Sequence, residues 1–545
     1  MEWIFYLYLL NTFFILFIAI WEVRRPAKAL NWIIIVLFLP VIGFWLYLSI
    51  SNPKFIHRKR LTCSKNESNK LPETFGASAS VIANALRHFT VNGLRMGQVQ
   101  VFNNGIAKYD QLLVSLQKAQ ETIDLEYFIY RNDQIGNRIT ELLIEKALNG
   151  VQVRFMRDSL GSYKFPREKI RQMVEAGIEC RTIFPLRFPW ILSNWNYRDH
   201  CKIVTIDRKE SFTGGMNVGY EYTGLKPDVG FWRDTHLQII GEATGDLQTV
   251  FDVHWEIAVP ERIKSKTNLK TKSEVTKINS IGRADHSKWS AELGSELSTL
   301  DDKKMDISGK TRTLHKAYIH TLEGNPGIPT PVIRQAYFIC ITQATKTIDL
   351  TTPYFVPETD IIMALKTAVT RGVRVRLLVP RHNNQKIVGL ASRTYYGELI
   401  EAGVQIYQYD KGMIHAKVLT IDEEIAAVGS ANYDMRSFRL NYEVCQVVYS
   451  ADVARELTEQ FERDLTDSVP LRMEDLLQRS LTERIVEQGA RLLSPARGRP
   501  SVGAGHRLRS RARHRPPIQA APHLRGSQRG RRRSSPNQLR GRWPH

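Results

Sequence analysis

The eight residues "HCKIVTID" at 200–207 return, barely altered, as "HAKVLTID" at 415–422. This repetition constrains the fold more than any other feature, and it is not isolated. Thr-Ile-Asp-Leu at 122 recurs 225 residues later, Glu-Ala-Gly at 175 recurs 226 later, and the motif histidines stand 215 apart. Each copy sits in the same series: a β-rich run ("ETIDLEYFIY", "KTIDLTTPYFV"), a helical stretch ("IGNRITELLIEKALNG", "ETDIIMALKTAVTRG"), a second strand ("VQVRFM", "VRVRLLV"), the motif, and a glycine-bearing block ("GGMN", "GSAN"). Order and spacing together predict an internal duplication of a β-α-β unit of roughly 160 residues. Strands alternating with helices predict an α/β fold of two pseudo-symmetric α-β-α sandwich halves with mixed sheets.

The halves are placed at 96–261 and 313–475, with a C-terminal segment at 476–495. Residues 262–312, rich in lysine and serine and without periodicity, read as a linker or surface excursion. Residues 496–545 are Arg, Pro, Gly and Ser without an apolar period, which predicts a disordered tail. The abrupt change after "RLLSP" favours a frame-shifted or read-through end over a basic binding arm. That tail explains the charge. The net charge is +21, and fourteen arginines lie between Arg497 and Arg542, which leaves about +7 for the rest. A mildly basic body suits an anionic membrane surface, and the headline charge says little about nucleic acid. Five scattered cysteines (Cys63, Cys180, Cys201, Cys340, Cys445), with no C-x-x-C pair, argue against a disulfide framework and a structural zinc site.

The N-terminus holds two apolar runs, Trp3 to Trp21 and Ala29 to Pro53, each long enough for a hydrocarbon core of about 30 Å. They predict a hairpin of two transmembrane helices, about 3–21 and 30–50, within residues 1–53, followed by a connector at 54–95. A signal peptide fits poorly, since "MEW" has no basic n-region. Lys54, Arg58, Lys59, Arg60 and Lys65 outnumber the basic residues of the loop (Arg24, Arg25, Lys28), which places the bulk of the chain on the cytoplasmic side.

On a strand, residues i and i+2 face one way, so His200 pairs with Lys202 and His415 with Lys417. A single histidine beside a lysine is more often structural than catalytic. Two copies, each with Lys at +2, Asp at +7 and a Gly-Gly/Ser-x-Asn block at +14 to +17, are not two satisfied core histidines. If the halves pack about a pseudo-two-fold axis, both motifs meet at one site. That set suits a phosphodiester: lysines neutralise the non-bridging oxygens, and one imidazole attacks phosphorus to form a covalent intermediate. The other protonates the leaving alkoxide and then deprotonates the incoming hydroxyl. No metal or cofactor is needed. Asn217, Ser430 and Asn432, in the glycine-bearing blocks, are candidates to bind or orient the phosphate. Glu443 and Asp234, each downstream of its own motif, are candidates to fix the tautomer of the imidazoles. Asp207 and Asp422 fall on the opposite strand face, which predicts structural hydrogen bonding for them.

His-x-Lys-x4-Asp twice, with "GSANYDMRS" after the second, resembles the phospholipase D superfamily. The N-terminal hairpin, "FTGGMNVGYEY", "FWRDTHLQI" and "IPTP" narrow the resemblance to the bacterial cardiolipin synthases, from about residue 3 to 495. The resemblance implies transfer of a phosphatidyl group between two phosphatidylglycerol molecules at the cytoplasmic membrane, with release of glycerol. It carries the motif roles onto His200, Lys202, Asp207, His415, Lys417 and Asp422, and implies two phospholipase D-like halves. Neither nucleic acid nor an obligate protein partner is implied. Two positions depart from the family pattern: Cys201 where arginine is usual, and Asp199 where asparagine is usual. A membrane phospholipase D that hydrolyses to phosphatidic acid is the alternative. A superfamily nuclease or a catalytically silent lipid-binding scaffold stands further off. Which histidine is the nucleophile stays open.

Overall fold

The computed structural model describes residues 2–23, 26–51, 71–73, 75–186, 196–227, 229–261, 313–328 and 330–493. Most of the expected connector, the 262–312 linker and the 496–545 tail lie outside the described residues.

Pairing begins from one strand in each half. Thr122–Tyr127 lies parallel to Gln152–Asp158, which is parallel to Glu179–Ile183. On its other side it runs antiparallel to Lys202–Ile206, and Glu210–Gly214, His236–Ile240 and Thr90–Phe102 follow in order. The second half repeats this order. Thr347–Thr351 is parallel to Arg374–Pro380 and that strand to Gln405–Tyr409. On the other side come Val418–Ile421, Ile425–Gly429, Asn441–Tyr449 and His315–Gly324. The central strands are buried along most of their length. In "VRVRLLV" the run Leu377–Val379 is apolar on both faces, as a covered parallel strand requires, and buried Arg376 is balanced by Asp349 at 2.6 Å.

The two sheets are one. Thr90–Phe102 pairs antiparallel with His315–Gly324, from Thr90 opposite Leu322 to Val99 opposite His315. The first strand therefore starts at Thr90, inside the stretch expected as connector. Each half has its own apolar core, one around Leu125, Ile139 and Phe155, the other around Ile348, Leu365 and Leu377. A third core draws on both halves, with Val99, Ile203 and Ile239 against Ile319, Val418 and Val444. Separating the halves would break a strand ladder and expose that core together.

The motif aspartates tie the strand ends. Asp422 accepts from the backbone N–H groups of Thr345, Lys346 and Thr347 at 2.7–2.8 Å, and from the Thr345 hydroxyl at 2.8 Å. Asp207 accepts from Gln120, Glu121 and Thr122 at 2.7–2.9 Å. Both sit at positive φ, 51° and 55°, in the hairpin after the motif strand, a conformation a short polar side chain tolerates.

The apolar N-terminus departs from expectation. Its first run is a helix, Glu2–Trp21. The second divides at Pro40, which lacks an N–H and clashes with the preceding turn, into Pro26–Phe38 and Pro40–Ser51. At 13 and 12 residues these rise only about 20 Å each. Among the described residues no helix is long and apolar enough to cross a membrane. The helices do fold back on one another: Phe14 stacks on Phe44 at 3.9 Å, and Tyr47 donates to Glu22 at 3.3 Å.

Replacing Asp422 by Ala strands three backbone donors and should lower stability by about 2–3 kcal/mol, measured by equilibrium unfolding in detergent. For Asp207, burial raises the pKa, but the N–H groups of Thr122, Glu121 and Gln120 outweigh it and hold the carboxyl below its ordinary 3.8. Asp207 thus adds stability above pH 3.8 that is lost as pH falls through the lower folded value. Asp207→Asn should flatten that acid limb in the same unfolding measurement.

Candidate active site

His200 and His415 each stand just ahead of their motif strands, which begin at Lys202 and Val418. Their backbones are anchored across the halves. The His200 N–H donates to Tyr442 O at 2.9 Å, and the His415 N–H to Arg233 O at 2.7 Å. The side chains cross over in the same way. His200 Nδ1 lies 2.9 Å from Glu443 Oε2, and His415 Nδ1 lies 2.7 Å from Asp234 Oδ2. Each imidazole is therefore held by the carboxylate of the other half. The sequence picks out both acids but pairs each with its own motif. That pairing is corrected here, because the segments carrying the acids run along the opposite half's histidine.

Glu443 is fully buried and has every oxygen engaged. Oε2 also accepts from Ser430 Oγ at 2.5 Å, and Oε1 accepts from Asn441 Nδ2 at 3.0 Å. Burial raises its pKa, but His200 and Lys202 outweigh that and hold it below the usual carboxylate range. Asp234 behaves alike: burial works against the charge, and Lys417 and His415 overcome it. Gly215 makes room for Asp234, since a Cβ there would overlap the carboxylate. The glycine thus serves the orienting acid.

Both lysines are almost completely buried. Lys202 Nζ donates to His200 O at 2.5 Å, and Lys417 Nζ lies 2.8 Å from His415 Nδ1. Burial lowers Lys202, and lowers Lys417 to about 7, with Asp234 and Glu443 opposing. Burial likewise lowers both imidazoles, His415 to about 4. Lys417 contributes to the shift of His200, and Lys202 to that of His415. The two motifs thus lie within electrostatic reach of each other. Aromatic rings frame them: Phe128 packs edge-on to His200 at 5.0 Å, while Trp232 and Tyr354 lie 5.3 and 6.1 Å from His415.

The asparagines divide. Asn217 is committed within its own half: Oδ1 accepts from Ile129 N at 3.1 Å and Nδ2 donates to Tyr222 at 2.8 Å. Asn432 Nδ2 faces Ser437 at 3.4 Å, and among the described residues its buried Oδ1 has no protein partner. Ser430 acts on Glu443. Asn441 and the framing aromatics escaped the sequence reading, since an asparagine two residues before an acid and rings within apolar runs look like ordinary sheet and core.

Asp199 and Cys201 turn away from the histidine. They join Glu126 and His254 in a fully buried cluster whose potential ligand atoms lie within 4.8 Å of one another. His254 Nδ1 lies 2.6 Å from Glu126 and its Nε2 3.1 Å from Glu323, so these acids hold it charged. Burial, then Glu126, keeps Asp199 and Cys201 protonated. Protons balance this cluster, and a metal ion would have to displace the one His254 shares with Glu126.

Comparison with known proteins agrees with this geometry. The model "Cardiolipin synthase, PLD-like domain" matches residues 112–255 and 337–465, one segment in each half. Cardiolipin synthase 2 of Bacillus anthracis is 34% identical over 468 residues, covering 83% of this chain and 84% of that one. The chain belongs to the cardiolipin synthase family. The cardiolipin synthase of Geobacillus thermodenitrificans is 35% identical over 474 residues, covering 85% and 87%. Among solved structures, phosphatidylserine synthase of Haemophilus influenzae shares the fold, with a TM-score of 0.55 at 12% identity over 76% of this chain and 97% of that one.

The depressed imidazoles give a signed expectation for this family member. His415 titrates near 4 when folded and at 6.5 when free, so the unfolded chain binds the extra proton between those values. Stability should fall as pH drops from 6.5 to about 4. His415→Gln should reduce that slope, read from denaturant unfolding at pH 7 and pH 5.

Proposed function

We propose that this protein is a phosphatidyltransferase that makes cardiolipin from two phosphatidylglycerol molecules through a phosphohistidine. The observation that carries the reading is the crossed arrangement: two imidazoles, each buttressed by a buried carboxylate, beside two buried lysines. In the first step His200 Nε2 attacks the phosphorus of one phosphatidylglycerol. A P–N bond forms, the P–O bond to the glycerol headgroup breaks, and His415 gives its proton to the departing alkoxide. In the second step a primary hydroxyl of another phosphatidylglycerol attacks phosphorus. His415 takes its proton, the P–N bond breaks, and cardiolipin forms.

His200 is assigned the attack because Glu443, held by two side chains, Ser430 and Asn441, is more firmly braced than Asp234, which has one backbone donor, the Thr235 N–H. An arriving phosphodiester is an anion. It raises the pKa of the imidazole it faces, so protonation of the acid accompanies substrate binding. Lys202 and Lys417 offset the charge on the non-bridging oxygens, in a site dry enough to strengthen that effect. Asn432, with one amide oxygen unused, is the asparagine best placed to orient the phosphate. Asp207 and Asp422 hold the motif strands. The two halves are read as related by an approximate two-fold axis.

We place the enzyme at an anionic bilayer, attached through the apolar helices of residues 2–51 with the body on the cytoplasmic side. Exposed Trp3, Phe5, Phe13 and Phe38 support this, since apolar surface of that extent seeks a partner.

Wild type in phosphatidylglycerol vesicles should yield cardiolipin and glycerol by mass spectrometry. His200→Ala and His415→Ala should each abolish both, and Asp234→Asn should slow turnover by roughly 10²–10⁴-fold. Phosphatidic acid in place of cardiolipin would favour the hydrolytic alternative. In His415→Ala a trapped phosphatidyl adduct should map to His200, and an adduct at His415 in His200→Ala, with none in His415→Ala, would reverse the assignment.

A further inference from the structure

Cardiolipin carries two phosphodiesters joined through a single glycerol. An enzyme that builds it must hold a second anion close to the one that reacts. The histidines and lysines above account for the reacting phosphate, and none is left over for the other.

Arg436 stands where that second charge would come. On the short helix Met435–Arg439 two arginines have different surroundings. Arg439 grips Glu358 through two nitrogens, at 2.7 and 2.5 Å. Arg436 is half-buried and donates only to neutral groups, Asn196 Oδ1 at 3.2 Å and Asn196 O at 2.9 Å. Among the described residues no carboxylate lies within ion-pair distance of it. The adjoining sequence 187–195, "RFPWILSNW", contains no acid that could serve. Burial and then the nearby Arg198 push the Arg436 guanidinium down to about 10. The nearest acid in sequence, Asp434, is raised to about 6 by burial and spends Oδ1 on the Ser437 N–H at 2.7 Å. Arg198 is itself balanced by Asp158 at 3.5 Å, whereas Arg436, partly desolvated and bonded only to neutral groups, is a guanidinium that an arriving anion would stabilise.

Its position is equally pointed. Arg198 and Asp199 pair with Asn441 and Tyr442, directly before Glu443, and Arg198 lies two residues ahead of His200. Glu443 in turn acts electrostatically on Arg436. Arg436 therefore lies within electrostatic reach of the acid that holds His200, and its hydrogen-bond partner Asn196 stands four residues ahead of that histidine.

Resting on the reading of the protein as a cardiolipin-forming transferase, we propose that Arg436 binds the phosphodiester of the acceptor phosphatidylglycerol. It is a specificity determinant of the second step: it selects a phosphate-bearing alcohol over glycerol or water, and takes no part in forming the phosphohistidine.

The test compares two acceptors that share one phosphoenzyme. Full-length wild type and Arg436→Gln are given phosphatidylglycerol vesicles with labelled glycerol. Exchange of label into phosphatidylglycerol reports transfer to an acceptor without a phosphate, and cardiolipin reports transfer to one that has it. Arg436→Gln should cut cardiolipin formation more than tenfold, through a raised KM for phosphatidylglycerol as acceptor, while exchange falls far less. Arg436→Lys should recover part of the loss. Equal loss of both products, or loss of neither, overturns the subsite. Wild type that exchanges glycerol but forms no cardiolipin overturns the transferase reading and the subsite with it.

Discussion

The site depends on an exchange of buried hydrogen bonds between the halves. Glu443 of the second half holds His200 of the first, and Asp234 of the first holds His415 of the second. Among the described residues neither imidazole meets a carboxylate of its own half. A half folding alone would bury a carboxylate without the cation that stabilises its charge, which costs several kcal/mol. Docking of the halves and assembly of the site are therefore one event. The continuous strand ladder and the shared apolar core hold the two histidines in register.

Around that exchange the residues separate by the direction their strands face. His200 and Lys202 look into the site, while Cys201 between them looks back toward Glu126 and His254. Asp199 and Cys201 thus fall in a proton-balanced cluster behind His200. They leave every reacting group in place and alter what the His200 segment rests upon. The motif aspartates lie further along, where each closes a strand end by accepting three backbone N–H groups. One sequence motif thereby holds two kinds of residue, with chemistry at its start and architecture at its end.

Much of this was legible in the chain itself. The repeat of Thr-Ile-Asp-Leu, Glu-Ala-Gly and the histidine motif at near-constant offsets anticipated two units of like strand order, because period-2 and period-3.6 patterns survive duplication. Glu443 and Asp234 stood out as acids on strands near histidines. The N-terminal runs showed their apolarity but hid the break at Pro40, whose effect depends on the turn it would have to join. Asn441, Ser430 and the framing rings carry no local signal, since they matter only through the residue they touch.

The sequence by itself determined which side chains are candidates to attack, donate and neutralise, and that there are two sets of them. Spacing along one chain reports on neighbours in a strand, and that information is local. The tertiary structure decided the pairing. It brought Glu443 to His200 across 243 residues and Asp234 to His415 across 181, and it gave Arg436 the neutral Asn196 as its hydrogen-bond partner. Such contacts follow from how two sheets dock. Docking is set by the sum of many apolar contacts, which no single motif records.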